Sequence, residues 1–248
     1  MEDGKFAEIL NTVPAGEGID LNNAYVIPGL VEVHSHGNSG YDFSDGNYEG
    51  LVEMAKYFLS CGVTSFAPAS MTLPYDVLSK AFATAKQLKE EAPEGYSRIM
   101  GIQMEGPYFS YKKRGAQNAD YLKEPDFEGF AKLQSDCGGL IRIVDIAPEL
   151  PGAAEFIEKA SKLCTVAEGH TDTDYDHAKA GFDAENENHW LVSCGDNWDR
   201  GPDPYAVMLY FNRLQRKILI RGNHEDLFEQ CCERGEAYIN DYSNGTFQ

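Results

Sequence analysis

Residues 25–37 read YVIPGLVEVHSHG, an apolar run that ends in two histidines one residue apart, followed at once by glycine. Side chains alternate faces along a strand, so His34 and His36 point the same way if the strand continues through them. Pro28 and Gly29 punctuate the approach, Val31 and Val33 favour strand, and Gly37 permits a sharp turn. Both imidazoles are therefore expected at the C-terminal end of a strand, as a two-ring pincer. In parallel α/β folds that is the end where active sites are built.

Beyond this stretch, strand and helix patterns alternate. Residues 46–62 carry Leu51, Met54, Ala55, Phe58 and Leu59 at helical spacing and stop at Gly62. A strand is predicted over 63–69 and a helix over 74–91, with proline in its first turn. Residues 98–104 read as the next strand, running directly into Glu105, Gly106 and Pro107. After a polar loop come helix 127–134, strand 140–149, helix 152–163, strand 164–170 and helix 172–184. Repeated βα units of this length predict parallel strands with right-handed crossovers. The fold class is α/β: an incomplete (β/α)8 barrel of about five βα units, short of the eight that close one. Residues 1–24 read as the tail of a small β element. The character changes at Ala184-Glu185, after which strand 190–196, helix 202–214, strand 216–222 and helix 225–235 suggest a separate βαβ segment. Two domains follow, 1–184 and 185–248.

The 248 residues are 42% hydrophobic, enough to fill a core, and carry a formal net charge of −19. So acidic a surface repels nucleic acid and anionic membranes and leaves small molecules as the expected partners. The six cysteines show no CxxC pair and no framework spacing, which favours reduced thiols in a cytoplasm. No window approaches the roughly 20 apolar residues of a membrane helix, and the first residues lack the pattern of a secretory leader. The sequence leaves a homo-oligomer open.

Three polar signals fall at strand ends: His34 with His36, Glu105, and His170. Imidazole nitrogens and carboxylate oxygens are the usual ligands of zinc or a similar divalent ion, and a catalytic site takes about three of them plus an open position for water. Their shared level in the predicted barrel would bring all four into one mouth. Lys112, Lys113 and Arg114 form a basic run just beyond, read chiefly as a solvated loop.

The stretches YVIPGLVEVHSHG, GVTSFAPASMT, MEGPYFSYKKRGAQN and AEGHTDTDYDHAKAGFDA resemble N-acetylglucosamine-6-phosphate deacetylases, amidohydrolases built on TIM barrels. The resemblance covers about residues 4–184. It implies a metal-bound hydroxide that attacks the acetamide carbonyl. It also implies metal ligation by Glu105 and His170, with His34 and His36 used when a second metal is present. Ala116 and Gln117 match the segment that contacts the sugar, with Gln117 where the family usually has histidine. The family's sixth-strand HLFNAM-like motif and eighth-strand aspartate, its general base and acid, do not occur after Ala184.

LVSCGDNWDRGPDP followed by ILIRGNHED resembles a second family, the calcineurin-like metallophosphoesterases of the serine/threonine phosphatase type. That resemblance implies that Asp196 bridges two metals, manganese or iron, that Asn223 ligates one, that His224 assists the leaving group and that Arg200 contacts phosphate. The family's opening DxH motif and closing histidines have no counterpart here.

The expected function is thus metal-dependent removal of the acetyl group from a phosphosugar, impaired by the want of the later barrel strands. The alternatives are phosphoester hydrolysis centred on Asp196, Asn223 and His224, and a fused fragment that turns nothing over.

Overall fold

A computed structural model describes residues 18, 20–22, 24–91, 93–173, 191–193 and 204–219. Its first strand is β1 (Leu30–Ser35), and a two-residue hairpin, β2 (Gly37–Asn38) against β3 (Tyr41–Asp42), follows directly. Gly37 serves here by close approach: a Cβ on it would lie 2.0 Å from the Tyr41 carbonyl oxygen. Helix α1 (Tyr48–Ser60) then opens on Asn47, whose side chain accepts from Gly50 N at 3.0 Å and satisfies one free N–H of the first turn.

The chain continues through β4 (Val63–Ser70), α2 (Tyr75–Glu91), β5 (Arg98–Ile99), β6 (Ile102–Tyr108), α3 (Phe127–Asp136), β7 (Ile141–Ile146), α4 (Ala153–Ala160) and β8 (Thr165–Glu168). All the main pairings are parallel and in sequence order, β1-β4-β6-β7-β8, with β5 added to β4. This is the α/β half-barrel expected from the alternation, with five successive parallel strands connected through helices.

One expectation needs correcting. The strand predicted over 98–104 is two pieces, and the second runs on through Glu105 to Tyr108. Glu105 therefore belongs to β6 rather than to the turn after it. Because β6 is buried along its whole length, both of its faces are populated by side chains with work to do. Ile102 and Met104 join the apolar cluster under the helices, with Leu51, Met54, Phe82, Phe130, Val144 and Phe156. Gln103 and Glu105, alternating with them, face the other way, into the barrel.

Among the described residues β1 is paired on one edge only, and Leu30 and Val31 are each 53% exposed. Later in the chain β9 (Leu191–Ser193), α5 (Pro204–Arg213) and β10 (Lys217–Leu219) form a parallel β-α-β unit. Cys61, Cys137 and Cys164 are free thiols. Among the described residues no helix is long and apolar enough to cross a membrane. The predicted β element before residue 18, helix 172–184 beyond Thr173, and helix 225–235 lie outside the described residues.

Candidate metal centre

His34 ends up near the C-terminus of β1 and His36 just past it, their ring centroids 5.1 Å apart and nearly perpendicular. The shared direction expected from strand alternation is realised. Glu105 reaches them from β6, and one ligand atom from each of His34, His36 and Glu105 lies within 4.8 Å of the other two. His170 follows β8 in the left-handed region, φ 50°, a costly conformation for a residue with a Cβ. Its ring lies against Phe109, with centroids 4.5 Å apart and planes tilted by 36°. Of the six ligand candidates read from the sequence, the fold brings these four together.

Glu105 is the hub. It is only 7% exposed, and its two oxygens meet different rings, Oε1 with His170 Nε2 and Oε2 with His36 Nε2, each at 2.8 Å. The Oε2 contact lacks the alignment of a hydrogen bond, so that oxygen is buried without a donor. A buried carboxylate oxygen in this state is costly unless a cation occupies the space it faces. Burial disfavours ionisation of Glu105, yet contact with His170 and His36 outweighs it and holds the carboxyl at about 2. In return, Glu105 raises both histidines above their ordinary value, against the opposing effect of burial.

Tautomers explain why those rings are suited to a metal. His36 Nδ1 bonds the Ala69 carbonyl and His170 Nδ1 bonds the Lys113 carbonyl, each at 3.0 Å. A carbonyl only accepts, so Nδ1 carries hydrogen in both rings and Nε2 is the nitrogen able to ligate. Two histidines, a carboxylate with a donorless oxygen and a third imidazole make a donor set that fits zinc or a similar ion.

Two polar residues of the site escape a motif-based reading. Gln103 accepts from His34 Nδ1 through Oε1 at 2.9 Å and donates through Nε2 to Asp145 Oδ2 at 2.7 Å. Asp145 is 5% exposed, and burial pushes its carboxyl up to about 6, opposed by the bond from Gln103 and reinforced by nearby Glu105. The available signal was an aspartate inside the apolar run LIRIVDIAP, together with Gln103 on the same strand face as Glu105.

The remaining sequence candidates are distributed more loosely. Ala116 is exposed, while Gln117 is buried with its Oε1 already accepting from Thr72 N at 2.7 Å. The Lys112 ammonium is paired with Asp172 at 2.7 Å, and Arg114 lies over the Tyr111 ring. Asp196, Arg200, Asn223 and His224 lie outside the described residues.

Comparison with known proteins bears on the family and the fold. The chain is 35% identical over 209 residues to N-acetylglucosamine-6-phosphate deacetylase of Bacillus subtilis (strain 168), covering 82% of this chain and 52% of that protein. It is 28% identical over 240 residues to the deacetylase of the same name from Vibrio furnissii, covering 93% of this chain and 59% of that one. The chain thus spans about half the length of the curated relatives it matches. Its fold superposes on N-acetyl-D-glucosamine-6-phosphate deacetylase from Mycobacterium smegmatis with a TM-score of 0.63 at 23% identity, over 83% of this chain and 62% of that one. A calcineurin-like phosphoesterase family model matches residues 157–248. The amidohydrolase family model matches residues 25–189, which contain every described ligand candidate, and the chain belongs to that family.

Proposed function

We propose that this chain carries the metal-binding half of a deacetylase that acts on N-acetylglucosamine 6-phosphate. The observation that carries the reading is Glu105, whose Oε2 is buried without a hydrogen-bond partner beside His36 and whose carboxylate clusters with His34. Glu105 and His170 would hold the catalytic ion, with His34 and His36 completing the set. When bound, a divalent ion supplies a polarised carbonyl and water of lowered pKa. The chain's own part is to fix the ligands: the Ala69 and Lys113 carbonyls set two tautomers, and Phe109 braces the His170 ring.

The sugar would lie over the loop that follows β6. Ala116 is open to contact there, whereas Gln117 would act through its side-chain NH2 and by tying the loop to the turn after β4 at Thr72. Lys112 and Lys113, at the rim, would draw in the phosphate. A charge reversal at both should weaken phosphosugar binding, and unchanged binding would discard that role.

A second reading concerns residues 185–248 as a separate segment. The parallel pair β9 and β10 joined through α5, together with the phosphoesterase match, favours a partial metallophosphoesterase with Asp196 and Asn223 as ligands, His224 as acid and Arg200 on phosphate. Acetate release from N-acetylglucosamine 6-phosphate, measured with zinc, tests the first reading. Manganese-dependent phosphate release from p-nitrophenyl phosphate tests the second. Zinc or cobalt binding without either product would leave a metal-binding chain that turns nothing over.

A further inference from the structure

Every hydrogen bond between Asp145 and His34 has its direction dictated by chemistry. Asp145 comes from β7, Gln103 from β6 and His34 from β1, so the three lie on separate strands of the half-barrel and meet on its inner face. An ionised carboxylate accepts and cannot donate, so Gln103 must turn its NH2 to Asp145. Its carbonyl oxygen then faces His34, and that oxygen also only accepts. His34 Nδ1 must therefore carry the hydrogen, which leaves Nε2 as the ring's lone-pair nitrogen. His36 and His170 obtain the same tautomer more simply, from backbone carbonyls. His34 stands on β1, whose second edge is unpaired among the described residues; none of their backbone carbonyls accepts from its Nδ1, and two side chains serve it instead.

We propose that Asp145 and Gln103 form a one-way hydrogen-bond relay that holds His34 as its Nδ1–H tautomer and reserves Nε2 for a divalent cation. Both are positioning residues, since neither needs to touch the ion. Gln103 is 9% and Asp145 5% exposed, so the inner link is shielded from water and the outer one is shielded on its Gln103 side. The arrangement also accounts for an aspartate buried in an apolar strand, which packing alone would not select. Partners that orient a ligating histidine typically contribute about 10- to 100-fold to metal affinity. The inference depends on the metal-centred reading for its purpose, but the tautomer can be observed without any metal.

The test uses the full chain, stripped of metal and labelled with 15N-histidine, at pH 8. Two-bond 1H–15N correlation spectra assign the His34 tautomer, and cobalt(II) titration followed by its visible absorption gives the affinity. The unsubstituted chain is expected to show Nδ1–H. Gln103→Met, similar in length but with no acceptor of comparable strength, should lose that fixation and bind cobalt about 10- to 100-fold more weakly. Gln103→Glu combined with Asp145→Asn reverses the donor and acceptor of the inner link yet still presents an acceptor to His34, so tautomer and affinity should return to within about 3-fold of the unsubstituted chain. A role in packing alone would show neither the loss nor the rescue. His34 found as Nε2–H in the unsubstituted chain overturns the inference whatever the variants do, as does Gln103→Met with both readouts unchanged. Nδ1–H with no cobalt binding at all would uphold the relay and sink the metal-centred reading.

Discussion

Glu105 Oε1 lies 2.8 Å from His170 Nε2, although the two residues are 65 positions apart, one on β6 and the other just past β8, with β7 between those strands. The carboxylate's other oxygen meets His36, so one buried side chain ties together three strands at the mouth of the half-barrel.

Removing the charge of Glu105 while keeping its shape should abolish tight metal binding. Glu105→Gln is expected to lower zinc or cobalt affinity by more than about 100-fold, beyond the loss typical of a residue that merely orients a ligand. Equilibrium dialysis with metal analysis reads this directly, and circular dichroism confirms that the fold is retained. Undiminished metal content in the variant would remove Glu105 from the ligand set.

The same cluster predicts a pH window for the metal-free chain. His36 and His170 are raised above 6.5 by Glu105, so their contribution to stability is complete below pH 6.5 and is lost as pH climbs through the raised values. Glu105 falls from 4.5 to about 2, so its contribution is complete above pH 4.5 and is lost as pH drops toward 2. In a chelator, the stabilisation from this cluster should peak between about pH 4.5 and 6.5. Metal affinity should run the other way on the alkaline side, rising with pH as each imidazole sheds the proton that competes with the ion. Thermal melts of the chain and of Glu105→Gln across this range supply the check; superimposable profiles would contradict the assignment.

Gln117 offers a stability test independent of metal. Its Oε1 accepts from the buried Thr72 N–H, and Gln117→Leu leaves that donor unpaired. Loss of about 1–3 kcal/mol is expected, measured by chemical denaturation. If the variant instead keeps full stability and loses only phosphosugar binding, the residue is a sugar contact and not a loop anchor.

Phe130 should report on the core under the helices. It is fully buried and meets Phe156 edge to face with centroids 5.4 Å apart. Phe130→Ala should cost about 3–5 kcal/mol in a denaturant titration. A loss below about 1 kcal/mol would mean that α3 contributes little to the folded unit.

The sequence by itself determined the alternation of strands and helices, the parallel half-barrel and four residues that the fold gathers at the candidate centre. These are legible because each rests on local information: apolar periodicity for the elements, an i, i+2 histidine pair at a strand terminus, and polar residues recurring where strands run out. Element ends were less so. The strand bearing Glu105 begins twice and runs further than its pattern suggests, because burial on both faces hides the period in a continuous run. Only the tertiary structure decided which partner each site residue takes. Asp145 stands out in its apolar run, but nothing along the chain joins it to Gln103 and His34, and that link exists only because β1, β6 and β7 present those positions to one interior. Gln117, likewise, turns inward because a buried N–H on β4's following turn needs an acceptor. Hydrogen bonds between strands depend on register and on distance through space, and neither is written in the spacing of residues along a single chain.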